Sequence, residues 1–114
     1  MFFKKKSQSS PPTANIPQEL TIFHQIATTL FYGVNGGDDA ASVTAQLSFD
    51  TQQRVSSIDG LLVNDAPKLP DPDVLEAINK VSAQLLAMDE KYRLKGLNVK
   101  VVDGGVSTSA EYLT

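Results

Sequence analysis

Twice along this chain, apolar residues at helical spacing give way to apolar residues in strict alternation, and that double change of period constrains the fold most. The second occurrence is the clearer. Asp71 is placed to cap a helix with Pro72 at its first position. Val74, Ile78, Val81, Leu85, Met88 and Tyr92 then recur at four- and three-residue steps, with Leu75 and Leu86 widening the stripe. Asp71, Asp73 and Glu76 stand near its start and Lys91, Arg93 and Lys95 near its end, both favourable to the helix macrodipole. Gly96 is predicted to end the helix. Beyond it, Leu97, Val99 and Val101 alternate with Asn98 and Lys100. Asp103-Gly104-Gly105 suits a tight hairpin, and Val106, Thr108, Ala110 and Tyr112 form one face of a closing strand.

The first half repeats the order. Asn15 and Gln18 have capping-box spacing and Pro17 suits a first helical turn. Leu20, Phe23, Ile26, Ala27, Leu30, Phe31 and Val34 predict a helix from about Pro17 to Tyr32, stopped by Gly33, Asn35, Gly36 and Gly37. Ser42 to Phe49 alternates as a half-buried strand, and Asp50 to Gln53 reads as a turn. Arg54 to Val63 reads as the returning strand, with Gly60 marking a bulge or break, and Asn64 to Pro70 as a loop.

Two striped helices must cover the apolar faces of the strands. The predicted class is therefore α+β: a two-layer sandwich of order α-β-β-α-β-β, an antiparallel sheet of about four strands with both helices on one face. The other sheet face is expected to be rich in serine and threonine, and open. Residues 1–14, with Lys4-Lys5-Lys6 and Pro11-Pro12, read as a disordered basic, Ser/Pro-rich leader; residues 15–114 read as one domain. No apolar run approaches the roughly 20 residues of a membrane span, so no membrane contact is expected. The chain has no cysteine, which excludes a disulfide framework, a thiolate metal site and a cysteine nucleophile, and fits a cytoplasmic location.

No catalytic, cofactor or metal residue is predicted. His24 is the only histidine and reads as a helix-edge residue, without a nucleophile or carboxylate nearby in sequence. The Gly33 to Asp39 segment lacks the lysine of a phosphate loop and follows a helix rather than a strand. Asp38-Asp39, and Asp71 with Asp73, lack calcium-loop spacing. Charge is the broader signal. From Pro17 onward seven basic side chains face thirteen acidic ones, a net −6 that opposes nucleic acid and favours a basic protein partner. Between Gly36 and Asn79 there are eight acids and two bases. Asp38, Asp39, Asp59 and Asp65 are the candidate partner-binding residues.

The order of elements, the stretch "KLPDPDVLEAINKVSAQLLAM" and the ending "DGGVSTSAEYL" resemble the YezG-like immunity proteins of bacteria, over about Pro17 to Leu113. The chain departs from that pattern in having no tryptophan, with Leu97 starting the strand after the second helix. The resemblance implies a non-enzymatic protein that neutralises a cognate toxin by binding and occluding it. The alternative is a phage-derived or accessory protein acting through self-association as a homodimer, pairing along an exposed strand edge such as Ser42 to Phe49. A small enzyme built on scattered carboxylates and His24 ranks last.

Overall fold

The computed structural model describes residues 18–113, so the leader, Asn15 and Pro17 lie outside the described residues. The architecture is α+β, with helix α1 (Gln18–Val34), strands β1 (Val43–Phe49), β2 (Val55–Val63) and β3 (Ala66–Pro67), helix α2 (Pro72–Ser82), and strands β4 (Leu94–Val102) and β5 (Gly105–Tyr112). Two 3-10 turns, Ala83–Ala87 and Glu90–Tyr92, join α2 to β4. The strands form one antiparallel sheet in the order β3-β2-β1-β4-β5. Both helices pack on one face of it. Among the described residues, no helix is long and apolar enough to cross a membrane.

The core follows the two periods. α1 buries Phe23, Ile26, Ala27, Leu30, Phe31 and Val34 as its spacing predicts. Leu20, expected on that stripe, is 48% exposed, and Ile22 is buried instead. Ile22 lies four residues before Ile26 and therefore shares its helical face. Beneath the helix, Val43, Ala45, Leu47 and Phe49 of β1 are buried, and register sets Val43, Ala45 and Leu47 beside Val101, Val99 and Leu97 of β4. Gly60 does mark a bulge: at a φ of +62° it sits where Gly60 and Leu61 together oppose Ala45.

Three local readings need correction. The sheet has five strands rather than about four, because Asn64 and Asp65 take φ values of +52° and +66° and turn Ala66–Pro67 back onto β2. Positive φ at both central residues is what a two-residue hairpin turn requires, and Asn and Asp tolerate it. Helix α2 ends at Ser82, not near Gly96. Ser82 Oγ donates to the Gln53 carbonyl at 2.5 Å and the chain tightens to 3-10 geometry, which keeps Leu85 fully buried. Lys91, Arg93 and Lys95 therefore lie beyond the helix, and Gly96 is a buried residue of β4. A Cβ there would stand 3.2 Å from the Leu47 carbonyl oxygen, so close approach of neighbouring backbone explains that glycine. Finally, Ser42 to Phe49 is no edge: β1 is the central strand, hydrogen-bonded on both sides.

Candidate functional site

Turns place the acidic side chains. Because Val43 pairs with both Val63 and Val101, the segments just beyond these residues emerge at one end of the sheet. They are the α1–β1 loop, the Asn64-Asp65 turn and the Asp103-Gly104 turn. Asn35 continues α1 through its amide to the Phe31 carbonyl, and its side-chain oxygen accepts from Gly37 N at 3.0 Å. Gly36 and Gly37 supply positive φ, and Asp38 Oδ1 then accepts from Ala40 N at 2.9 Å. The Asn64 side chain accepts from Ser42 N at 3.0 Å while Asn64 N donates to the Ser42 carbonyl at 2.8 Å, which staples this loop to the β2–β3 turn. Asp103, with a φ of +52°, leads the last turn as its Asp-Gly sequence predicts.

Asp38, Asp39, Asp65 and Asp103 therefore share one end of the molecule, all exposed. The start of α2 lies there too, against the last turn of α1: a Cβ on Gly33 would collide with the Val74 side chain, and Lys68 Nζ donates to the Val34 carbonyl at 3.1 Å. Asp71 occupies the N-cap position of α2 with Pro72 after it, but its side chain makes no capping hydrogen bond. Asp71 and Asp73 thus add exposed charge on the helix side of the same end. Asp59 is elsewhere. It faces Gln46 from β2, on the open face of the sheet, and lines a shallow depression of about 370 Å³ with Thr44, Asn98 and Lys100. Three of the four acids singled out by sequence converge, and Asp103 joins them. Its place in an exposed hairpin turn was the signal that would have added it.

A second hollow, of about 410 Å³, lies between α1 and the β4–β5 hairpin, lined by His24, Thr28, Tyr32, Asp39 and Val106 among others. His24 is exposed on α1, near the rim of the apolar stripe. Among the described residues, no three or more of His, Cys, Asp and Glu gather closely enough to hold a metal ion. At the far end of α1, partial burial, with Glu19 and Tyr92 adding to it, raises the Tyr112 phenol above its ordinary value.

The opposite end of the sheet uses polar groups differently. Gln53, fully buried at a φ of +59°, donates from Nε2 to the Leu94 carbonyl at 3.0 Å and accepts from Leu94 N at 2.7 Å. Its amide thus completes the start of β4 as a neighbouring strand would. Asn79 Oδ1 accepts from Val55 N at 2.8 Å, and Ser82 holds the Gln53 carbonyl. These three residues clasp α2, the β1–β2 turn and β4 together. Compared with known proteins, the chain matches no family model, no curated protein and no solved structure.

Proposed function

We propose that the chain is a non-enzymatic protein-interaction domain that presents its acidic end to a basic protein partner. In its fuller form it is a cytoplasmic immunity protein that occludes a cognate toxin. The observation that supports this most is the gathering of exposed Asp38, Asp39, Asp65 and Asp103 at one end. Carboxylates held on short turns approach a partner at little cost in side-chain ordering, and a field of one sign raises the rate of encounter with an opposite one. The resemblance to YezG-like immunity proteins supplies the class of partner.

The test is affinity for the toxin domain encoded beside the gene, at low and high ionic strength. The variant combines Asp39→Lys with Asp65→Asn and Asp103→Asn, since asparagine keeps the positive φ at the last two positions. Asp38 is left intact because it accepts the Ala40 amide. The expected result is slower association as salt rises, and roughly tenfold or greater weakening in the variant at low salt. Equal affinities in all four conditions would overturn binding through this end. A separate Asp59→Lys variant reports on the open sheet face: a larger loss there than at the turns would move the interface to that face.

A further inference from the structure

The two edges of the sheet are built differently, and the difference bears on self-association independently of the acidic end. On one side β2 is blunted: the two-residue strand Ala66–Pro67 covers its last turn, Gly60 bulges it, and Asn79 takes the Val55 amide. Proline, bulges and short strands are the means by which sheets avoid pairing with other chains. β5 has none of them. It runs Gly105–Tyr112 without proline or lysine, and no described residue pairs with its outer edge. Glu111 is its only ionisable side chain besides Tyr112. A basic partner has no reason to choose such an edge. A second acidic copy meets little repulsion there, with one carboxylate in eight residues.

We infer that β5 pairs antiparallel with β5 of a second copy, centred on Ser109, to make a continuous ten-stranded sheet about a two-fold axis. Directly opposite residues in antiparallel strands share a face, so a symmetric pairing must set some residue against itself. With Ser109 on the axis, Val106 lies opposite Tyr112 of the second copy and Thr108 opposite Ala110, all on the helix-side face. On the open face, Glu111 lies opposite Ser107, so no like charges meet. An aromatic against a β-branched residue is a favourable cross-strand pair. Tyr112 is 39% exposed in the single chain, and Val106 lines the hollow of about 410 Å³ beneath α1. Each copy thus sets a partly exposed Tyr112 ring opposite the half-buried Val106 of the other.

The experiment uses the full chain in sedimentation over a wide concentration range, with the Ser107→Glu/Ser109→Glu double variant beside it. Both serines are exposed on the open face, so the variant keeps the fold, which its circular dichroism checks. Wild type is expected to show a concentration-dependent dimer, and the variant a dimer weakened roughly tenfold or more, since Ser109→Glu sets like charges opposite each other on the axis and Ser107→Glu sets them opposite Glu111. The absence of native cysteine allows a second measurement. Ser109→Cys is expected to cross-link to itself on mild oxidation, because an axial pair falls within disulfide reach, whereas Ser57→Cys on β2 is not. Wild type that stays monomeric at every concentration overturns the inference and leaves the edge to a foreign strand. So does a dimer that the glutamates do not weaken, or cross-linking at Ser57 that matches Ser109.

Discussion

The two ends of this sheet carry different polar groups, neutral amides and a hydroxyl at one and carboxylates at the other, and put them to opposite uses. At one end Gln53, Asn79 and Ser82 are almost wholly buried, and their side chains satisfy backbone groups of the β1–β2 turn, β4 and α2. At the other, Asp38, Asp39, Asp65 and Asp103 are exposed on turns whose shape comes mainly from glycine, asparagine and backbone hydrogen bonds. Polar groups that complete the backbone inside a protein cannot be removed cheaply, because the partners they leave are cut off from water. Polar groups on turns can, and that makes them available to a partner. Burial and charge together separate the two, since neutral amides can be enclosed where carboxylates would have to give up their water.

The largest effect is expected at the clasped end. Leu85 is fully buried just past Ser82, in the 3-10 turn that follows α2. Leu85→Ala should lower stability by about 2–5 kcal/mol in chemical denaturation, and Gln84→Ala, at an exposed neighbour, by less than about 0.5 kcal/mol. A Leu85 loss well under 1 kcal/mol would show that the 3-10 segment is loosely held and that the clasp ends at Ser82.

Gln53 tests the clasp itself. Gln53→Ala leaves the amide and carbonyl of Leu94 without their partner and should cost about 2–3 kcal/mol, the penalty for stranding buried backbone groups. Gln53→Glu keeps the shape but turns an acceptor toward the Leu94 and Asp50 carbonyls, and should be no milder. Loss of less than about 0.5 kcal/mol in both would mean that solvent reaches Leu94 readily, and the contrast between the ends would fall.

The fold was legible where period alone decides it. The stripe from Phe23 to Val34 and the alternation of Val43 to Phe49 appear in the structure with the faces that spacing assigns. What spacing could not supply was long-range hydrogen bonding. Helical spacing continues past Ser82 because a 3-10 turn also returns every third residue to one side, so Leu85 stays in phase while the α-helix has already ended. The α-helix gives way to 3-10 geometry where Ser82 bonds Gln53, 29 residues earlier, and no local pattern announces that bond. Gln53 read as a turn residue and is one, but its side chain reaches Leu94, 41 residues away. The acidic end was legible in part. Charge density singled out Asp38, Asp39 and Asp65, yet only the register of β1 with both neighbours shows that Asp103 belongs with them and Asp59 does not.

The smallest predicted effect separates two adjacent residues of the acidic end. Asp38 Oδ1 accepts the Ala40 amide at 2.9 Å, so Asp38→Ala should cost about 0.5–1 kcal/mol, the net value of one exposed turn hydrogen bond. Asp39 is exposed beside it and lines the hollow under α1. Its removal should change stability by less than about 0.5 kcal/mol, with a slight gain at low salt as repulsion from Asp38 falls away. The measurement is the denaturant midpoint of each variant at low and high ionic strength, with an unchanged slope showing that the unfolded states match. The difference between the two should persist at high salt, because a hydrogen bond survives screening and like-charge repulsion does not. Equal losses for both would mean that Asp39 is also tied into the turn. The acidic end would then resemble the clasped end, holding its carboxylates for the fold rather than for a partner.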